Sequence, residues 1–231
     1  MVKYSLDANC GIRGIVFLVL LFLTVADTQL FPRAFFNRLN IPCVITVGEE
    51  KVNLTSIMSE LTEKARANKA AARHTDTNYR QEAFYDPTFS ESFIARDALS
   101  WLPIPSQQPH AEVEAPIKDV YRNLQLYLVV ADSRILDHNL HNDNPIYLEL
   151  FQNLKKNASV LLYHLYENMK KLQIEPVTGP CQNTNKEFEM LQNTRTEREL
   201  ISASFLTRYT ILADYTWGMF FNYTWLSHEN C

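Results

Sequence analysis

Apolar residues recur every three or four positions in four stretches of the chain, a spacing that predicts four amphipathic helices. The last stretch, Thr194 to Leu226, has no proline and a single glycine, Gly218. On a helix, its Ile201, Phe205, Leu212, Tyr215, Met219, Tyr223 and Leu226 share an arc of about 80°, with Arg208 the one charge among them. Such a rod is roughly 50 Å long. It can bury its stripe only against long partners, because an isolated helix gains little in water. The third stretch opens with Asn144 as cap and Pro145 at the first helical position, and repeats Leu150, Leu154, Ala158, Leu161, Leu165, Met169 and Leu172 to about Gln173. The second starts near Pro116 and carries Ile117, Val120, Leu124, Leu128, Ala131 and Ile135. The first, Glu49 to Arg73, is rich in helix formers but has the weakest stripe: Val52, Ile57, Leu61, Ala65 and Asn68.

The connections between these helices order them. His74 to Glu114 lacks helical periodicity and holds Pro87, Pro103, Pro105 and Pro109 among many aromatics, which predicts a long crossover packed on the helices, with a short helix over Glu91–Leu99. Asn139 to Asn144 is a short polar turn, whereas Pro176 and Gly179-Pro180 begin a second long connection. A short turn joins antiparallel neighbours and long crossovers allow parallel ones. The sequence therefore predicts an all-α fold, a long-chain up-up-down-down four-helix bundle.

The first 26 residues change the compartment. Lys3 and Arg13 precede an apolar run, Ile15 to Leu23, and Thr24-Val25-Ala26 offers small residues for cleavage, so residues 1–26 read as a signal peptide and 27–231 as one secreted domain. Losing Lys3, Arg13 and Asp7 takes the formal charge from −4 to −5, a balance unsuited to nucleic acid. Asn53, Asn157 and Asn222 stand in Asn-x-Ser/Thr sequons, as expected of a secreted glycoprotein. Three cysteines remain, and the expected topology brings Cys43, Cys181 and Cys231 to one pole. Cys43–Cys181 is the expected disulfide, since both lie beside prolines. That leaves Cys231 free, paired between molecules, or competing for Cys43.

Catalytic signatures are absent. Gly48, Gly179 and Gly218 cannot form a phosphate-cradling loop or a nucleophile elbow. No histidine follows a glutamate by three residues, as a di-iron bundle requires, and His138 with His141 has no third ligand nearby. The expectation is no enzyme, no metal and no cofactor.

Three patches resemble the leukaemia inhibitory factor and ciliary neurotrophic factor branch of the interleukin-6 cytokine family. One is Tyr79-Arg-Gln-Glu-Ala-Phe84-Tyr-Asp-Pro87-Thr-Phe89, assigned to the first crossover. The second combines Val120-Tyr121-Arg122 and Tyr127-Leu128 with Asn144-Pro145 and Asn157-Ala158. The third is Val177-Thr-Gly-Pro180 leading to Lys186-Glu-Phe188. The resemblance implies a secreted, monomeric cytokine that binds a shared signal-transducing subunit and a second, leukaemia inhibitory factor receptor-like subunit, activating Janus kinase/STAT signalling. It also implies a receptor contact at Phe188 and Leu191, where Leu191 occupies the place of the family's lysine.

A second reading is a secreted helical lipid carrier or structural interaction protein. It requires a cavity, whereas paired stripes of Leu, Ile and Tyr predict a filled seam. Tyr209 to Leu226 carries one charge, Asp214, but Thr210, Thr216, Asn222 and Thr224 predict a bundle helix and no stable membrane insertion.

Overall fold

The computed structural model describes residues 44–47, 50–90, 99–105, 113–177 and 194–229. The leader, Cys43, Cys181, Cys231, Phe188, Leu191 and most of the short helix expected at Glu91–Leu99 lie outside them. Within them the fold is all-α apart from one hairpin. Its elements are β1 (Val44–Val47), β2 (Glu50–Asn53), α1 (Leu54–Phe84), α2 (Glu114–Leu140), α3 (Pro145–Lys171) and α4 (Arg195–Glu229).

The hairpin corrects the expected start of α1. Val44-Ile-Thr-Val47 is a β-branched run, and β1 pairs antiparallel with β2 from Val44↔Asn53 to Val47↔Glu50. Asn53 then caps α1: its side-chain oxygen accepts from Ser56 N–H at 2.9 Å. The helix therefore begins at Leu54 instead of Glu49, and it continues past Arg73 to Phe84. Tertiary contacts hold this extension. Tyr79 is fully buried, with its ring centroid 4.7 Å from that of Tyr147 and 5.7 Å, edge-on, from that of Phe151. Buried Arg80 pairs with Asp76 at 2.8 Å and donates to Phe89 O, to Ala203 O at 3.2 Å and to Thr207 Oγ1 at 2.6 Å. Tyr79 to Phe84 thus belongs to a helix and not to the crossover. The helix stops at Tyr85, whose left-handed φ of 58° turns the chain away.

The α3 expectations agree with the structure: Asn144 Oδ1 accepts from Ile146 N–H at 3.1 Å, and the stripe from Leu150 to Leu172 is buried. Thr194 and Glu197 form a reciprocal capping box at the head of α4. Leu206 and Phe220, which lie off the predicted stripe, are also fully buried. Every residue from Ile201 to Leu206 is buried, so α4 is enclosed on more than one side.

Named contacts set the neighbours. Near the start of α1, Thr62 meets Thr224 at 2.9 Å and Glu60 meets His164 at 2.6 Å; near its end, Arg80 and Tyr79 meet the first halves of α4 and α3. The end of α2 meets the start of α3 through the His138 and Tyr147 rings, 5.2 Å apart, and the start of α4 through His138–Ser202. Between α2 and α4, residues 99–105 lie across the seam. Leu99 and Leu102 are buried there, Tyr127 donates to Pro103 O at 3.0 Å, and Arg208 donates to Leu102 O at 3.2 Å.

Candidate functional site

The last two turns of α2 carry their polarity inside out. The apolar period points to Leu128 and Ile135, yet both are only half-buried. Leu136 and Leu140 are 58% and 69% exposed, while Arg134, Asp137 and His138 are buried in their place. Exposed leucines over buried charges reverse the usual preference of both residue types. This inversion marks the end of the bundle where α1 and α2 finish and α3 and α4 begin.

The buried side forms a network. Arg134, with a fully buried side chain, faces Asp137 at 3.3 Å. His138 Nδ1 lies 3.0 Å from Asp143 Oδ2 and its Nε2 lies 3.2 Å from Ser202 Oγ. Arg198 holds Asp143 through Nη2 at 3.0 Å and Nε at 3.3 Å. Tyr147 donates to Glu199 at 3.2 Å, and Arg195 pairs with that carboxylate at 2.8 Å.

These surroundings move the titrations. Burial pulls the Arg134 guanidinium down to about 10, although Asp137 opposes it. Burial also lowers His138, despite its hydrogen bond to Asp143. For Asp143 burial alone would raise the carboxyl, but hydrogen bonds from Arg198 and His138 outweigh it and hold it below its usual range. Burial, then the Glu199 charge, push the Tyr147 hydroxyl up to about 12.

Around this network the end of the bundle exposes apolar surface. Tyr85 is 86% exposed and Ile146 is 40% exposed, alongside Leu136 and Leu140. Tyr85 holds its left-handed backbone with a bulky side chain, a conformation that costs roughly 1–2 kcal/mol. Sequence reasoning missed this constellation, because a stripe search looks for apolar residues inside and discards Arg134, Asp137 and His138. The one available signal is Leu136 and Leu140 falling off the axis of the Ile117–Ala131 stripe.

The expected site residues are distributed as follows. Phe188 and Leu191 precede α4 in sequence and lie outside the described residues, as do the three cysteines. Asn53 is exposed at the α1 cap and Asn157 half-buried on α3, whereas Asn222 is only 9% exposed on α4. Both ring nitrogens of His138 are engaged by Asp143 and Ser202, and His141 Nε2 lies 3.5 Å from Asp137. Among the described residues no group of three His, Cys, Asp or Glu is placed to hold a metal ion. None of the described helices is long and apolar enough to cross a membrane.

A second surface lies where α1 meets α4. Lys69 sits 3.7 Å over the Trp217 ring, Trp217 stacks on the exposed Phe221 at 5.4 Å, and Asp214 pairs with Lys69 and Arg73 at 3.4 and 2.8 Å. No known protein family, curated protein or solved structure matches the chain.

Proposed function

We propose that the chain is a secreted, monomeric helical cytokine with up-up-down-down topology, which brings class I cytokine receptor subunits together to activate Janus kinase/STAT signalling. The observation that carries this reading is the pattern of helix neighbours. The start of α1 lies against the ends of α3 and α4, and the end of α2 lies against the starts of α3 and α4. Two helices that each oppose α3 and α4 run parallel to one another. Long crossovers make that possible, and the contacts of residues 99–105 with Tyr127 and Arg208 support a first crossover lying over the helices.

The interior supports a ligand that works from its outside. Phe205 stacks between Phe151 and Tyr209, at 5.9 and 6.0 Å, and Tyr127 packs on Phe205 and Tyr209 at 5.8 and 5.7 Å. Rings occupy the space between the helices that a lipid carrier would keep open. The exposed apolar surfaces lie far apart on rigid elements, one around Leu136, Leu140 and Ile146, the other around Trp217 and Phe221. Receptor contacts of about 800 Å² per partner fit on helices of this length. Phe188, and Leu191 in place of the family's lysine, belong to this reading as the contact for the leukaemia inhibitory factor receptor-like subunit.

Two measurements test it. Purified protein is passed over immobilised ectodomains of single class I cytokine receptor subunits, where saturable binding to at least two different subunits is expected. Organic extraction of the same preparation is expected to yield no stoichiometric lipid. Failure to bind any subunit, together with co-purifying lipid, supports the carrier instead.

A further inference from the structure

His138 stands at the centre of the inverted end of α2, enclosed by every helix. Its ring lies 6.0 Å from Tyr79 of α1 and 5.2 Å from Tyr147 of α3. The charged groups around it are Arg134 and Asp137 of α2, Asp143 of the α2–α3 turn, and Arg195, Arg198 and Glu199 of α4. His141 reaches Asp137 from outside. These charges match one to one: Arg134 with Asp137, Arg198 with Asp143, Arg195 with Glu199. The cluster is balanced while His138 carries no charge.

A neutral imidazole also satisfies both its contacts. Nδ1–H donates to Asp143, and Nε2 accepts the Ser202 hydroxyl proton. A second proton, on Nε2, forces the Ser202 hydroxyl to turn and accept, and leaves one unmatched positive charge among buried groups. Asp143 cannot absorb that charge alone, because two N–H groups of Arg198 already hold it. Together these contacts tie the α2–α3 turn to the first two turns of α4.

We propose that His138 is an acid-operated latch: neutral, it clamps the α2–α3 turn to the head of α4; protonated, it releases that end of the bundle while the rest stays folded. Burial lowers the titration of His138, so release needs acidification below the ordinary histidine range. The latch belongs to the bundle itself and operates whatever the chain binds.

Hydrogen exchange of the full chain at pH 7.4 and 5.5, corrected for the intrinsic rate change, tests the latch against His138→Gln. In the native protein, amides of residues 138–147 and 195–202 are expected to lose protection on acidification, by up to about tenfold, because pH 5.5 lies about one unit below the unfolded titration of His138. Amides of residues 150–169 are expected to keep theirs, and His138→Gln to show no acid loss at either segment. Equal loss in the variant, uniform loss along the chain, or no loss in the native protein overturns the latch. If His138→Gln does not fold, the ring carbon shift of His138 in the native protein decides: titration at or above about 6.5 overturns the proposal.

Discussion

Leu212 at the middle of α4 and Arg134 near the end of α2 are both fully buried, for opposite reasons. Leu212 contributes apolar area and fills space, so Leu212→Ala is expected to cost about 2–5 kcal/mol in chemical denaturation; an unchanged midpoint would show the assigned face to be wrong. Arg134 is tolerated inside because it is paired, and the same logic makes Asp143 sensitive. Asp143→Asn leaves Arg198 buried without an anion, an expected loss of about 3–5 kcal/mol. Because the folded carboxyl titrates below its unfolded value, its contribution is complete above about pH 4 and declines as pH falls through the folded value. Asp143→Asn is therefore expected to flatten the stability profile below pH 4, and a parallel profile would remove Asp143 from the network. Phe188 contributes differently: Phe188→Ala is expected to keep the melting temperature but weaken binding to one receptor subunit by about 2 kcal/mol. Unchanged affinity for every subunit would exclude it from the contact.

At the scale of elements, a regular stripe made a helix legible and an irregular one hid it. From Leu150 to Leu172 the apolar spacing matches burial residue by residue, and Asn144-Pro145 marks the start. The second half of α1 has no such stripe: Ala72, Thr75, Tyr79 and Arg80 are its buried residues, and three of these four are polar or small. It is helical because Tyr147, Phe151, Ala203 and Thr207 supply partners from elsewhere in the chain, which periodicity cannot register. The hairpin was missed because Glu49 and Glu50 favour a helix start, although Glu50 pairs with Val47 in the strand. The inverted end of α2 was missed because its buried residues are charged. That inversion is directly testable. The double variant Leu136→Ser, Leu140→Ser is expected to change stability by no more than about 0.5 kcal/mol per site, as surface substitutions do. A loss of several kcal/mol would place the leucines inside.

At the scale of the molecule, the four described helices set wide surfaces around a core packed with aromatic rings. The all-α class was legible because four stretches of apolar residues at helical spacing predict four long helices, and those are the described helices. The candidate surface was not, because it depends on which side of α2 faces the bundle. A ligand that joins two receptors has a signature that a one-site binder or a carrier lacks. At low concentration it pairs subunits, and at excess each subunit carries its own copy and the pairs separate. The decisive measurement is STAT phosphorylation in cells bearing two candidate subunits, titrated with purified protein over several decades of concentration. Receptor pairing gives a response that rises and then falls, and none in cells bearing either subunit alone. Absence of phosphorylation with every pair of subunits that bind the protein would contradict the cytokine reading.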